Sequence, residues 1–578
     1  MPYAYLNLLT TYLQPQRGRL LLLGGLISGT IGLQLLNPQI LRGFIDSAEN
    51  SAELSLLLQS AALFLGLSLL TQLIYTATAY VSVDVAWNAT NRLRHDLATH
   101  LLQLDMRYHN AHTAGELLTL VDDDVKRLSG FFSDFSIRLV ANALLLIGIV
   151  VMMFRETWLI GTAAMIYVVV TFFVLNRLRK PTTPLWQAER KLNADLYSFL
   201  EERLNGIEDI RSSGAVAFTM RQYFAKTRAL FWQRYRAYGR NMIFSQSANL
   251  FMSLGYVGGL AIGVYSFQRG EITVGTVYLI LFYISLFSRP FRQISVQVER
   301  FQTAIASLDR VLAAQRQTSH IQDSGTQSLP NESLSLQYKG VSFAYQTGTP
   351  ILNAISFELK AGQVLGLIGR TGSGKTTLAR LLFRLYEPDA GIILLNGIDI
   401  RDVPLAQLRQ RIGLVTQNVQ IFNGTIRENM TFFAEDVTDA QLMRVIEALG
   451  LGDWVRGLPN GLDTTLLADG TGISTGEAQL LALTRVFLKD PDLLIMDEAS
   501  AHLDPATERL LERALDRLLA NRTSIIIAHR LQTVQRADQI MILDHGRCLE
   551  HGPRTTLLQD PNSRFPHLVK IGLAEVLT

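Results

Sequence analysis

The chain has 578 residues, a net charge of +3 and 18% charged residues, whereas wholly soluble chains usually carry about 25%. A net charge this small gives no basis for binding nucleic acid, and we expect no nucleic-acid partner. The single cysteine, Cys548, excludes an internal disulfide framework and argues against a redox or metal role for this residue.

The first half of the chain contains apolar segments that suit membrane spans, for which about 20 mostly apolar residues are needed. In chain order these segments are Leu20–Leu41, Leu57–Val81, Leu139–Met153, Trp158–Leu175, Ala248–Phe267 and Val274–Phe287. They predict an all-α, six-helix transmembrane domain in a lipid bilayer. We place this domain at residues 1–316, and we expect the polar stretch 317–333 to be a linker.

The links between the spans predict how the chain is oriented. Two of them, between the second and third spans and between the fourth and fifth, are long and rich in basic residues such as Arg92, Arg107, Lys180 and Arg221. Arg and Lys are enriched on the cytoplasmic side of membrane proteins. We therefore expect the long links, both termini and the second domain in the cytoplasm, with the spans in the plasma membrane.

Polar residues within the spans say little about a transported substrate. Few ionisable residues interrupt the apolar segments, which argues against an ion-coupled pump. The side chains of Gln34, Asn37, Gln72 and Asn142 either line a substrate path or hydrogen-bond between helices, and the second alternative is favoured. No residue pattern in the spans identifies the substrate.

From about Leu334 the pattern changes to short apolar strands separated by helices. This predicts an α/β domain with a mostly parallel sheet over residues 334–578. Within this domain, the apolar run Val364–Ile368 is followed directly by the glycine-rich sequence from Gly369 to Thr376 and then by a helical stretch. Strand, glycine-rich turn and helix in this order are typical of a phosphate-binding loop.

The phosphate-binding loop predicts a site for ATP with Mg²⁺. Its glycines let backbone N–H groups face phosphate oxygens, and the helix N-terminus adds the positive end of its dipole. We expect Lys375 to contact the β- and γ-phosphates and the Thr376 hydroxyl to bind Mg²⁺. The predicted nucleotide-binding residues of the loop are Gly369, Arg370, Thr371, Gly372, Ser373, Gly374, Lys375, Thr376 and Thr377.

With six apolar segments and this loop, the chain resembles an ABC transporter half-molecule of the exporter type, a fused permease and ATP-binding protein, over nearly its whole length. The resemblance implies that residues 334–578 form a P-loop nucleotide-binding domain. It also implies that Tyr345, in the sequence Val341–Tyr345, stacks on adenine. Gln417, in Leu414–Gln417, is expected to reach both Mg²⁺ and the attacking water, which makes it a catalytic residue and a metal contact.

The resemblance also implies the remaining catalytic and metal-binding residues. The apolar run Leu493–Glu498 ends in two carboxylates. Asp497 is expected to hold Mg²⁺ through water, and Glu498 is expected to act as the general base toward the attacking water. His529 is expected to contact the γ-phosphate, and Asp504 is expected to take part in nucleotide binding.

The signature sequence of the family, commonly LSGGQ, is altered in this chain and reads Ile473-Ser474-Thr475-Gly476-Glu477. Ser474 and Gly476 are retained, so these two positions are expected to approach a γ-phosphate. Thr475 adds a β-branched side chain where glycine is usual, and Glu477 adds a carboxylate where an amide is usual. We expect both changes to weaken closure over ATP.

In the family, two nucleotide-binding domains meet head to tail, and each ATP lies between one phosphate loop and the other domain's signature. A complete hydrolytic set beside an altered signature therefore favours a heterodimer with a second ABC half-transporter over a homodimer. The implied function is ATP-driven export of a lipid, a peptide or a hydrophobic small molecule. The alternative is a regulatory or gating ABC protein without net transport.

Two cytoplasmic segments resemble the coupling helices of the family, one around Arg107–Glu116 and one around Asn205–Arg211. Such helices transmit movements of the ATPase to the spans. The run Asp122–Asp124 lies further along the first long link. We expect these three carboxylates to form a solvated helix face, or to be a pattern of the family, and not a cation site.

Overall fold

The computed structural model describes residues 10–130, 136–346, 348–434, 436–467, 472–497, 505–528 and 534–571, without the side chains of 136–139, 288–303, 505–506 and 571. The described residues fall into two compact units. The first takes residues up to 102 and those from 114 to 317, and the second takes residues 103–113 and those from 318 onward. Each unit has its own apolar core.

The first unit is helical. Its α-helices are Arg17–Glu49, Leu54–Gln103, Ala114–Thr119, Val125–Gly130, Ser136–Glu156, Trp158–Arg179, Thr183–Asn205, Ile207–Ser212, Val216–Gln268 and Val274–Gln315. A 3₁₀ turn, Gln14–Gln16, precedes them, and a π-helical turn, Leu120–Asp124, joins two of the short helices. Each predicted span lies inside one of the long helices, which agrees with the expected helical transmembrane fold.

Among the described residues, the helical stretches that are long and apolar enough to cross a membrane are Thr10–Glu49, Leu54–Gln103, Trp158–Asn205 and Val216–Gln268. The other two predicted spans lie in the helices Ser136–Glu156 and Val274–Gln315. Large apolar side chains such as Leu58, Leu65 and Leu73 are exposed on the helix Leu54–Gln103. This exposure suits hydrocarbon surroundings, because a helix satisfies its backbone hydrogen bonds internally.

Hydrogen bonds between helices involve polar groups of the spans. The Asn37 Nδ2 atom donates to Ser68 Oγ at 2.8 Å, so for Asn37 the helix–helix alternative holds. Tyr283 is fully buried, and its hydroxyl donates to the backbone oxygen of Leu35 at 2.8 Å. These bonds join residues of the first, second and sixth predicted spans.

For one residue of the run Asp122–Asp124 the expectation of a solvated carboxylate is wrong. Asp124 is only 1% exposed. Its Oδ2 accepts from Arg310 Nε at 2.7 Å, and its Oδ1 accepts from Arg310 Nη2 at 2.5 Å and from Ser307 Oγ at 2.9 Å. The partners lie 183 and 186 positions away in the chain, so the local acidic pattern gives no sign of them.

The described residues of the second unit form three sheets. Its strands are β1 Leu336–Phe343, β2 Leu352–Leu359, β3 Val364–Gly369, β4 Ala390–Leu395, β5 Ile398–Asp399, β6 Ile412–Val415, β7 Gly424–Thr425, β8 Thr465–Leu466, β9 Leu493–Asp497, β10 Thr523–Ile527, β11 Gln539–Asp544 and β12 Arg547–Pro553. The main sheet has the order β12-β11-β3-β10-β9-β6, and all its pairings are parallel except that of β12 with β11. The predicted mostly parallel sheet is thus present, and an antiparallel sheet, β2-β1-β4-β5, stands beside it.

The strands β3 and β10 are buried at every position, as expected for parallel strands covered on both faces. The α-helices of this unit are Met106–Ala111, Lys375–Leu382, Leu405–Arg411, Ile426–Thr431, Asp439–Leu449, Gly452–Gly457, Thr475–Lys489, Pro505–Leu519, Arg554–Gln559 and Arg564–Ile571. The predicted helix after the phosphate-binding loop is therefore present, and it extends from Lys375 to Leu382.

The short helix Met106–Ala111 belongs to the second unit although its sequence lies between two predicted spans. Its N-cap residue, Asp105, accepts from the backbone N–H groups of Arg107 and Tyr108, and its other carboxylate oxygen accepts from His320 N at 2.7 Å. The Asn110 side chain donates to the Tyr386 hydroxyl. These bonds tie the first predicted coupling segment to the unit that contains the parallel sheet.

Candidate active site

The candidate site lies at the carboxyl edge of the main sheet. In its parallel register, Ile527 of β10 is paired with Leu367 of β3 on one side and with Asp497 of β9 on the other. Strand β6 follows β9, with Val415 paired to Met496. The ends of β3, β9, β10 and β6 therefore meet at one edge, where open α/β sheets place their ligands.

The phosphate-binding loop follows β3 and leads into the helix Lys375–Leu382, as the sequence predicts. Gly372 and Gly374 have φ angles of 80° and 105°, which side chains disfavour. A Cβ on Gly374 would also lie 2.6 Å from Leu352 Cδ2. Glycine is therefore needed at this N-cap position for both conformational and steric reasons, and the turn leaves backbone N–H groups at the helix N-terminus.

Lys375 is held inside the loop. The side chain is 6% exposed, and its Nζ atom donates to the backbone oxygens of Gly369 at 2.5 Å and Arg370 at 2.9 Å. Burial lowers the pKa of Lys375, and the nearby charge of Asp497 opposes this shift. The amine thus depends on a neighbouring carboxylate and on carbonyl oxygens, which suits a group that binds phosphate oxygens.

The oxygen atoms beside the loop fit a magnesium ion. Thr376 Oγ1 donates to Asp497 Oδ2 at 3.2 Å, so a hydroxyl and a carboxylate stand together at the ends of the loop and of β9. Mg²⁺ prefers such oxygen ligands. In addition, Ser373 Oγ is buried and has no hydrogen-bond partner among the described residues, as expected of a group that awaits a ligand oxygen. Gln417, the third predicted metal contact, is exposed two residues beyond the end of β6.

Tyr345 stands beside the first turn of the helix that follows the loop. Its ring makes edge contacts with Phe343 and Tyr386 at 5.0 Å. Its hydroxyl lies 3.2 Å from Thr377 Oγ1 and accepts from Arg380 Nη1 at 3.1 Å. The structure thus brings the predicted adenine-stacking ring to the loop. Sequence reasoning did not identify Arg380 as a partner of Tyr345. Its spacing of three residues from Thr377 on the same helix is the signal that points to it.

The altered signature lies at the start of the helix Thr475–Lys489, where Gly476 is buried and Ser474 is the N-cap. Ser474 Oγ accepts from Glu477 N at 3.2 Å, and Glu477 Oε2 accepts from Ser474 N at 2.8 Å, a reciprocal capping box. The other oxygen, Glu477 Oε1, accepts from Trp454 Nε1 at 2.7 Å. The sequence gives no indication of this contact with Trp454.

Glu498, Asp504 and His529 lie outside the described residues, and their roles stay predictions. In the chain, Glu498 comes directly after Asp497, and His529 comes two residues after Ile527. Among the described site residues, hydrogen bonds join Lys375 to the loop and Thr376 to Asp497.

A separate cavity of about 110 Å³ lies among the helices of the membrane unit. It is formed by residues of the third to sixth predicted spans, and its lining is mostly apolar. The lining residues include Met153, Tyr167, Gly258, Ile262, Ile284 and Phe287. A pocket of this composition suits an uncharged group.

Comparison with known proteins places both halves of the chain in one family. A family model described as "ABC transporter" matches residues 352–501, and one described as "ABC transporter transmembrane region" matches residues 20–291. The chain is 30% identical over 550 residues to an uncharacterized ABC transporter ATP-binding protein, YfiC, of Bacillus subtilis, which covers 95% of this chain and 91% of the relative.

Two further proteins extend this similarity. A fatty acid ABC transporter ATP-binding/permease protein of Mycobacterium tuberculosis is 31% identical over 500 residues, covering 86% of this chain and 79% of the relative. A solved structure of a bacterial Atm1-family ABC exporter with ATP bound matches with a TM-score of 0.79 and 25% identity, covering 94% of this chain and 96% of that one. The chain therefore belongs to the ABC transporter family, as a multi-pass half-transporter whose ATPase drives export of a substrate across a membrane.

Proposed function

We propose that this half-transporter is one subunit of a heterodimeric exporter. The observation that carries the proposal is an asymmetry within one chain. The phosphate-binding loop with Asp497 has the groups of a competent ATP site, whereas the signature carries Thr475 and Glu477. A partner with an unaltered signature would complete the site that contains Lys375, and it would use the altered signature of this chain at a second, weaker site.

In the site built on the loop, Lys375 and the N–H groups at the helix N-terminus hold the phosphates. Thr376, Gln417 and Asp497 hold Mg²⁺, which supplies positive charge to the phosphate oxygens when it is bound. This assignment is supported by the contact between Thr376 Oγ1 and Asp497 Oδ2 at 3.2 Å. Tyr345 stacks on the adenine, and its hydroxyl is anchored to the helix by Thr377 and Arg380.

Glu498 accepts a proton from the attacking water, and Gln417 orients that water. His529 contacts the γ-phosphate, and Asp504 takes part in nucleotide binding. These roles rest on the family resemblance and on the sequence positions of Glu498, one residue beyond β9, and His529, two residues beyond β10, which are neighbouring parallel strands. Closure over ATP turns the membrane helices outward, and hydrolysis resets them.

The ATPase and both termini lie in the cytoplasm, and the spans lie in the plasma membrane. The basic residues of the long links support this orientation, as does the need of the ATPase for cytosolic ATP. The cargo is a lipid, a peptide or a hydrophobic small molecule. The mostly apolar lining of the cavity near Gly258 supports a cargo with an uncharged part.

The test is to purify the full chain alone and together with a co-expressed second ABC half-transporter, and to compare their assembly and ATPase activity. We expect high activity only in the mixed complex, and we expect Glu498→Gln in this chain to abolish most of it. A stable homodimer with full activity would refute the heterodimer. ATPase activity of the mixed complex that survives Glu498→Gln would refute the assignment of the base.

Export itself is tested with inside-out membrane vesicles. The mixed complex should accumulate a lipophilic dye or a labelled lipid in the vesicles only when ATP is supplied. The Glu498→Gln complex should not. ATP hydrolysis without uptake of any member of a lipid, peptide and dye panel would favour a regulatory role.

A further inference from the structure

The helix that carries the signature, Thr475–Lys489, already holds an anion in its first turn. Both carboxylate oxygens of Glu477 are bound by N–H groups of the same chain. Oε2 accepts from Ser474 N at 2.8 Å, and Oε1 accepts from the indole Nε1 of Trp454 at 2.7 Å. Trp454 lies on a separate short helix, Gly452–Gly457, and packs against the apolar core of the unit.

A carboxylate in this position competes electrostatically with a phosphate. The N-terminus of a helix attracts anions because its first N–H groups and its dipole present positive charge. Glu477 occupies one of these N–H groups and offsets part of that charge. A γ-phosphate that approaches Ser474 therefore meets a helix end whose attraction for anions is reduced.

Capping this helix does not itself require a charge. The helix Asp439–Leu449 begins with the same reciprocal arrangement, in which Thr438 is the N-cap and neutral Gln441 takes the place of Glu. The Gln441 side chain accepts from Thr438 N at 2.8 Å. An amide at position 477 would therefore serve the cap equally well, and the charge of Glu477 needs another explanation.

Trp454 provides that explanation. Two N–H donors, those of Ser474 and Trp454, converge on the side chain of residue 477, and a carboxylate offers an oxygen to each. An amide has one oxygen and would present its NH₂ group, a donor, to one of these donors. The indole therefore selects a carboxylate at this position and fixes its orientation.

We propose that the carboxylate of Glu477 keeps ATP binding weak at the composite site containing the signature of this chain, and that Trp454 forms an internal anion lock with this carboxylate that limits the effect. Trp454 acts as a positioning residue, since its indole N–H donates to the Glu477 carboxylate. The proposal rests on the proposed function in one respect, namely that the signature faces the ATP held by a second nucleotide-binding domain.

The test measures ATP affinity and the number of ATP molecules bound per dimer, with radiolabelled ATP and the full-length complex in lipid nanodiscs. In Glu477→Gln we expect about five-fold tighter binding at the weaker site, the effect of removing one charge at a helix N-terminus. Trp454→Phe keeps an aromatic ring but loses the donor. It should weaken ATP binding about two-fold, because the released carboxylate oxygen becomes free to face the phosphate.

The chain offers a matched control. Glu428 forms the same capping box with Thr425 at the start of another helix, Ile426–Thr431, so Glu428→Gln removes an equivalent carboxylate away from the signature. This variant should leave ATP affinity unchanged. Trp454→Phe should also have no effect on ATP affinity when it is added to Glu477→Gln, because the group that it positions is then absent.

Equal changes in ATP affinity for Glu477→Gln and Glu428→Gln would overturn the lock. So would an effect of Trp454→Phe that is the same with and without Glu477→Gln. If Glu477→Gln does not fold, Trp454→Phe alone must still weaken ATP binding. Native mass spectrometry of the complex tests the heterodimer separately: in a homodimer both ATP sites, and not one, should respond to Glu477→Gln.

Discussion

The ion pair between buried Asp124 and half-exposed Arg310 gives a prediction that separates local from long-range structure. We expect Asp124→Asn to destabilise the first unit strongly and Asp122→Asn to have little effect. The two residues have the same charge and lie in the same acidic run, so local sequence does not distinguish them. Asp124 is 1% exposed and takes three hydrogen bonds, two from Arg310 and one from Ser307. Asp122 is exposed and pairs with Arg94 at 3.2 Å.

The expected loss of stability depends on whether the partner of the removed charge is buried or exposed to water. Breaking a fully buried ion pair costs about 3–5 kcal/mol. The side chain of Arg310 is 51% exposed, so water solvates its guanidinium once Asp124 is neutral, and we lower the expected loss to about 2 kcal/mol. For Asp122→Asn, which removes a surface pair, we expect a loss below about 0.5 kcal/mol.

The pH dependence has a definite sign. Burial raises the pKa of Asp124, but hydrogen bonds from Arg310 and Ser307 and the positive charges of Arg310 and Arg127 outweigh it, so the pKa lies below its ordinary value of 3.8. A depressed carboxyl pKa stabilises the folded protein above the pKa of the unfolded state, and this stabilisation is lost as the pH falls through the folded value. The difference between wild type and Asp124→Asn should therefore shrink below about pH 4.

The assay is thermal unfolding of the purified protein in detergent, followed by intrinsic fluorescence between pH 7 and the acid limit of solubility. A double variant with Arg310→Met should lose less than the sum of the two single losses, because the two residues act on each other. Equal shifts of the unfolding temperature for Asp124→Asn and Asp122→Asn at pH 7 would refute the reasoning.

Three further predictions concern glycine packing, the phosphate-binding loop and the short helix Met106–Ala111. Gly255→Ala should lower the free energy of unfolding by about 1–3 kcal/mol, because its Cβ would lie 2.7 Å from the Tyr167 ring. Gly258→Ala is the control: nothing lies within 4 Å of its Cβ, so the same unfolding assay should show no loss of stability. Equal losses for the two variants would contradict this prediction. Lys375→Ala should weaken ATP binding at least ~10-fold in filter binding while leaving the unfolding temperature within a few degrees, and unchanged affinity would remove Lys375 from the site. Tyr386→Phe removes the hydroxyl that accepts from Asn110 and should lower the ratio of transport to ATP hydrolysis in vesicles, whereas an unchanged ratio would show that this bond does not couple the two activities.

The elements that the sequence predicts well are those with a local cause. The six apolar segments and the strand–loop–helix arrangement around Lys375 follow from residues close together in the chain. Parallel pairing of β3, β10, β9 and β6 follows from their apolar runs, since strands buried on both faces lack the alternation of an antiparallel sheet.

The contacts that escape prediction join distant positions. The residues near Asp124 in the sequence do not indicate its contact with Arg310, and those near Glu477 do not indicate its contact with Trp454. These contacts depend on how whole helices pack against each other. The interpretation of the signature differs most between sequence and structure. Sequence alone gives Glu477 as an unfavourable charge near a phosphate, whereas the structure shows that this charge has two hydrogen-bond donors of its own.

Residues 103–113 have a consequence for how this protein can be divided and recombined. The body that contains the ATPase is not continuous in sequence, because Asp105 and Asn110 bind residues that lie 215 and 276 positions away. A fragment that begins at residue 318 would lack the partners that Asp105 and Asn110 provide for His320 and Tyr386. Chimeras that exchange ATPases between exporters should therefore exchange residues 103–113 together with the ATPase domain.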